Sequence, residues 1–194
     1  MLWRREKREQ SDNMLIKGNE LLIEGAWLLS TEIFRDSRGA FEVAWERELL
    51  IEVPIDFMPS NAHHSYNASA NTLRGFHFQK HPHGQAKMVS CVAGKALDVI
   101  VDLRRDSNTF GTWHATEIEA ASGKSIFIPA GCAHGFLTLE PNTTIAYLIE
   151  GKYMPEAGRV LRWNDESLDV QWLVSDPILS DKDAAAPGWD SCDF

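Results

Sequence analysis

From Leu21 onward the chain carries short apolar runs of four to eight residues, cut by Gly, Pro, Asn and Asp. Residues 96–103 are the clearest case. Leu97, Val99, Val101 and Leu103 fall on one face of a strand, and Asp98 and Asp102 on the other. Residues 87–92 precede it across Ala93-Gly94-Lys95, a pattern that predicts a hairpin. Residues 113–119, 125–129, 135–139 and 144–149 continue the series, with turn signals at Asp106-Ser107-Asn108 and Glu140-Pro141-Asn142. Many short strands at this spacing predict an all-β barrel or jelly roll. Helical signals are sparse. Residues 46–51 predict one short helix. Ser180 or Asp181, ahead of Lys182-Asp183 and three alanines, caps another. Residues 1–20 are polar and charged and read as an arm, leaving 21–194 as a single domain.

Composition narrows the function classes. A length of 194 residues suits one domain with a full core. The net charge is −9, from 19 Lys and Arg against 28 Asp and Glu. That balance disfavours a nucleic-acid backbone or an anionic membrane surface as partner. No apolar run reaches the length of a bilayer span. Arg4-Arg5-Glu6-Lys7-Arg8 is not followed by the apolar stretch of a secretory signal. Three cysteines (Cys91, Cys132, Cys192), odd in number and without C-x-x-C spacing, imply free thiols in a reducing cytoplasm.

The histidines raise a metal question. Gly75, His81-Pro82-His83, Lys87 and Gly94 resemble the first sequence box of the cupin superfamily, small jelly-roll barrels. Gly123, Pro129-Ala130-Gly131 and His134 resemble the second. Metal-binding members place a glutamate where this chain has Lys87. An ammonium has no lone pair to donate and repels a divalent cation. The expectation is therefore no metal and no cofactor, with His81 and His83 on a solvated loop. A metal-dependent enzyme using His81, His83 and His134 is the alternative.

The most specific string is Leu73-Arg74-Gly75-Phe76-His77-Phe78-Gln79. With Gln85-Ala86-Lys87, Leu97-Asp98-Val99, 129–136, Tyr147, 155–159, Arg162-Trp163-Asn164-Asp165 and 179–183, it resembles the dTDP-4-dehydrorhamnose 3,5-epimerase family from about Phe34 to Pro187. The resemblance implies a cupin-type jelly roll, a homodimer, no metal, and a nucleoside-diphosphate 4-keto-6-deoxy sugar as substrate.

The residue types fit that chemistry. A ketone at C4 acidifies the hydrogens on C3 and C5. Epimerisation needs a base on one face, a proton donor on the other, and positive charge at the developing enolate oxygen. The resemblance places His77 as base, with Asp183 orienting it, Lys87 as enolate stabiliser, Asp98 as partner of that lysine, and Tyr147 as proton donor. It places Arg38, Phe41, Arg74, Gln79, Lys152, Tyr153 and Arg159 at nucleotide and sugar contacts, and His134 near the reaction centre. Arginine forks suit a diphosphate. Arg38 is implied to serve the neighbouring subunit's pocket. Three positions depart from the family pattern: Val43 and His63, where acidic and Asn residues are usual, and Lys152, where an aromatic is usual. They bear on the nucleotide, the sugar and whether one carbon or both are inverted.

Overall fold

The computed structural model describes residues 16–50 and 53–194. The strands, in chain order, are β1 (Lys17–Glu20), β2 (Trp27–Ser30), β3 (Ile33–Asp36), β4 (Gly39–Glu42), β5 (Asn61–Asn67), β6 (Leu73–Gln79), β7 (Lys87–Ala93), β8 (Lys95–Asp102), β9 (Trp113–Glu119), β10 (Lys124–Ile128), β11 (Cys132–Thr138), β12 (Thr143–Ile149) and β13 (Gly158–Val160). One sheet has the order β1-β2-β10-β7-β12-β5 and the other β13-β6-β11-β8-β9, with antiparallel ladders throughout. Strands β3 and β4 form a separate hairpin. The two sheets face each other as a cupin-type jelly roll.

The barrel interior is divided along its axis. Val89, Ile126, Ile128 and Ile145 of the six-stranded sheet pack against Ala96, Ile100, Ile118 and Phe136 of the five-stranded sheet. Beyond this apolar end, the same inner faces carry Lys87 and Tyr147 on one side and His77, Asp98 and His134 on the other.

Strand β8 departs from the simple reading of its alternation. Its apolar residues Leu97, Val99 and Val101 point away from the barrel interior. They are buried beneath a second cluster containing Leu161 and Leu168, with Trp163, Trp172, Leu179 and Trp189 packed on it. Asp98 and Asp102 face inward and are also buried. Burial alone would raise the Asp102 carboxyl. Hydrogen bonds from Arg104, Ser107 and Thr109 outweigh that and hold it at about 2.

Other expectations change with the fold. Residues 87–93 and 95–102 do not pair as a hairpin: β7 bonds to β10 and β12, and β8 to β9 and β11. The chain turns a corner between sheets at Gly94, whose φ of +71° suits glycine. A Cβ there would lie 2.4 Å from Thr143 Oγ1. The polar arm is shorter than 1–20, because Lys17–Glu20 is a sheet strand paired with β2. The rest of that arm, 1–15, lies outside the described residues. The helix expected at 46–51 is a 3-10 turn at Arg47–Leu49. The helix near residue 180 forms as α1 (Asp181–Ala184), with Ser180 as its cap. Cys91, Cys132 and Cys192 are free thiols.

Candidate active site

A cavity of about 720 Å³ opens at the polar end of the barrel, with Arg74, His77, Lys87, His134, Tyr147, Tyr153, Arg159 and Asp183 in its wall. Two glycines allow the strands behind it to approach. Gly75 on β6 has φ +130°, and a Cβ there would meet Gly135 Cα of β11 at 2.5 Å. The β6–β11 ladder shifts register between His134 and Phe136. His134 therefore sits directly opposite His77, both facing inward.

His77 Nε2 lies 2.6 Å from Asp183 Oδ1. Asp183 belongs to α1, where its backbone N–H donates to the Ser180 cap at 3.1 Å. The carboxylate is buried (3% exposed), whereas the His77 side chain is 42% exposed towards the cavity. Burial pushes the Asp183 carboxyl up. The hydrogen bond and charge of His77, with Ser180, outweigh it and bring the carboxyl below its ordinary value. An ionised Asp183 accepts the Nε2 proton and leaves the other ring nitrogen of His77 free for the cavity.

His134 Nε2 lies 2.7 Å from Asp98 Oδ2, and both groups are buried. Asp98 is thus the direct partner of His134, not of Lys87. No Lys87–Asp98 ion pair forms among the described residues, although the negative charge reaches the ammonium at longer range. The reason is register: His134 and Asp98 lie on paired strands of one sheet, whereas Lys87 belongs to the other. Lys87 opens β7. Burial pulls it down from its usual 10.5 to about 8, against the charge of Asp98. At neutral pH it is still mainly an ammonium. Tyr147 projects from β12, its ring 5.9 Å from that of His134 and nearly perpendicular to it. Burial and the Asp98 charge raise its phenol well above the ordinary range, so it is a neutral O–H donor.

The remaining expected site residues divide. Arg74 is exposed, and its Nε donates to Asn67 Oδ1 at 2.8 Å. Gln79 is buried with its amide engaged by backbone: it donates to the carbonyls of His83 and Lys152 and accepts from Met154 N–H. It braces the loops that edge the cavity. Lys152 supplies that carbonyl, and its side chain is not in the cavity wall. Arg38 and Phe41 are not there either. They lie on the β3–β4 hairpin by a separate cleft of about 470 Å³, with Arg38 paired to Asp36 and Phe41 63% exposed. The sequence reading missed Ser65, Gln85 and Lys182, which line the cavity, and treated His63 only as a departure. The β5–β12 register sets His63 beside Tyr147 and Ser65 beside buried Ile145, on the inward face. No apolar alternation marked β5.

His81 and His83 are exposed on the β6–β7 connection, and His134 is buried against Asp98. Among the described residues no three His, Cys, Asp or Glu side chains gather as a ligand set.

A jelly roll holding a carboxylate-bound histidine, a lysine and a neutral tyrosine in one cavity is built as a cupin-type acid–base isomerase. The family model described as dTDP-4-dehydrorhamnose 3,5-epimerase matches residues 20–191, and the chain belongs to that family. The dTDP-4-dehydrorhamnose 3,5-epimerase of Mycobacterium tuberculosis is 38% identical over 182 residues, covering 90% of this chain and 88% of that protein. The enzyme of the same name from Salmonella typhimurium is 38% identical over 164 residues, covering 82% and 88%. Among solved structures, the Bacillus anthracis dTDP-4-dehydrorhamnose 3,5-epimerase with TDP and PPi bound superposes with a TM-score of 0.86 at 37% identity, covering 90% and 99%. ChmJ, a 3'-monoepimerase from Streptomyces bikiniensis in complex with dTDP-quinovose, superposes at 0.81 with 33% identity, covering 88% and 86%. The chain is an epimerase of activated deoxysugars.

Proposed function

We propose that this enzyme inverts both C3 and C5 of a dTDP-linked 4-keto-6-deoxyglucose, forming a dTDP-4-dehydrorhamnose. The observation that carries the reading is the placement of His77 and Tyr147 on opposite sheets of one barrel, in the wall of one cavity with Lys87. His77 removes the proton next to the ketone and Asp183 stabilises the imidazolium that forms. Electron density moves onto the C4 oxygen as an enolate, which the Lys87 ammonium stabilises. Tyr147 returns a proton from the other face. Its resulting phenolate is reprotonated from solvent, and the His77 imidazolium releases its proton to solvent before the next inversion. Arg74, Tyr153 and Arg159 hold the nucleotide diphosphate and sugar.

The working unit of this reading is a cytoplasmic homodimer. The exposed β3–β4 hairpin carries Arg38 and Phe41 away from the chain's own cavity, where they are available to a second copy.

The test is incubation with dTDP-, CDP- and GDP-linked 4-keto-6-deoxy sugars in deuterium oxide, followed by NMR. Deuterium at both C3 and C5 of the dTDP sugar, with inversion, is the expected outcome. Inversion at one carbon would assign a monoepimerase, and no exchange with any sugar would overturn the reading.

A further inference from the structure

Within residues 189–194, Trp189, Cys192 and Phe194 pack on the apolar layer outside the five-stranded sheet. Phe194 anchors them: its ring centroid lies 4.7 Å from Trp189 and 6.2 Å from Phe110, with the Arg105 guanidinium 5.4 Å from it. The neighbouring Asp193 reaches the β6–β13 edge. Its Oδ2 accepts from Lys80 Nζ at 2.6 Å, from Arg159 Nη2 at 2.9 Å and from Arg159 Nε at 3.3 Å.

Arg159 is pinned from both sides. Its Nη1 donates to the carbonyls of Glu156 at 2.8 Å and Gly158 at 3.0 Å. Four of the five N–H groups of a guanidinium are then engaged, and one on Nη2 is left. The residue belongs to β13 opposite Phe78, next to the Val160–His77 pair, and lines the active-site cavity. Lys80 and Arg159 share one carboxylate, so the cluster retains a net charge of +1 beside the cavity.

Resting on the nucleotide-sugar reading above, we propose that Asp193 is a positioning residue that pre-sets Arg159 for the diphosphate of the substrate. A free arginine must freeze several torsions when it grips an anion. The clamp removes that freedom before binding, and Lys80 keeps the carboxylate from cancelling the field. The fixed guanidinium presents a single N–H and its charge to the anion.

The test compares steady-state kinetics of wild type, Asp193→Asn, Asp193→Glu, Arg159→Ala and the double variant Asp193→Asn/Arg159→Ala. Asp193→Asn is expected to raise KM for the dTDP sugar about 5-fold, with kcat held within about twofold. Asp193→Glu is expected to recover part of the loss. In the Arg159→Ala background the Asp193 change is expected to leave KM unmoved, because the two act as one unit. An unchanged or lowered KM in Asp193→Asn, or the same rise without Arg159, overturns the proposal. Calorimetry with dTDP separates the two claims. If wild type turns over no sugar but binds dTDP, the functional reading falls. A dTDP Kd weakened by Asp193→Asn then sustains the positioning role. An equal Kd, or no dTDP binding, overturns it.

Discussion

The imidazole of His77 and the carboxylate of Asp183, 106 residues apart in sequence, are joined by a hydrogen bond of 2.6 Å. The strand supplies the ring and the helix α1 supplies the anion that fixes it. His77→Ala is expected to lower kcat about 10³-fold, the range of a positioned acid–base group. Asp183→Asn keeps a hydrogen-bonding group but loses the charge that stabilises imidazolium, so a loss of about 10²-fold is expected. Rates of solvent deuterium entry followed by NMR measure both. An unchanged rate in either variant would remove the pair from the mechanism.

Lys87 ties activity to pH and to stability in opposite senses. The ammonium is needed at the enolate, so kcat/KM is expected to fall as pH rises through about 8. Burial disfavours that same charge. Between about 8 and the usual 10.5 the unfolded chain holds a proton that the folded chain does not. Unfolding free energy is therefore expected to rise across that window. Lys87→Met is expected to abolish turnover and to stabilise the fold by up to about 3 kcal/mol at neutral pH. Urea titrations at pH 7 and 10 measure the effect. A destabilised Lys87→Met would contradict the burial cost.

Tyr147→Phe separates proton removal from proton return. The base and the enolate site are intact in this variant. Deuterium is expected to enter the substrate through His77 alone, while formation of the inverted product falls about 10²-fold or more. Product NMR against starting-sugar NMR makes the distinction. Equal losses of exchange and inversion would place Tyr147 in a different role.

The buried pair His134–Asp98 already leaves Asp98 Oδ1 without a partner among the described residues. Removing the imidazole strands the whole carboxylate. His134→Ala is expected to destabilise the protein by about 3–5 kcal/mol, read from denaturant midpoints. A loss under about 1 kcal/mol would mean that the carboxylate finds other partners.

The hairpin gives a test of the dimer. If Arg38 completes a neighbour's cavity, mixing inactive Arg38→Glu with inactive His77→Ala and letting subunits exchange restores one intact site per mixed dimer. Recovery of about a quarter of wild-type activity is expected from random pairing. No recovery would place Arg38 in its own chain's reaction, and an Arg38→Glu variant that is active by itself would place it outside the reaction.

Much of the fold was legible because strands that face an apolar neighbour betray themselves by alternation. Residues 113–119 form β9, 144–149 lie within β12, and the Ser180 cap starts α1. The family strings also brought His77, Lys87, Tyr147 and Asp183 to one cavity. What local pattern could not convey was which face is inside. Alternation put the apolar row of β8 on one face without saying which; that face points outward, where residues 161–194 cover it with a second apolar layer. The same blindness hid the partner of Asp98, which depends on the ladder register of β8 and β11. Gly94 looked like a hairpin turn because a corner between sheets uses the same glycine chemistry. The inward residues of β5 carried no apolar signature, since they face a polar cavity.

The outward-facing row of β8 links chemistry to mechanical integrity. The layer that shields Leu97, Val99 and Val101 continues into the segment that delivers Asp183. A partial opening that peels this layer would withdraw the carboxylate from His77 while the barrel ladders persist. Catalytic output therefore reports whether that outer layer is in place over the sheet.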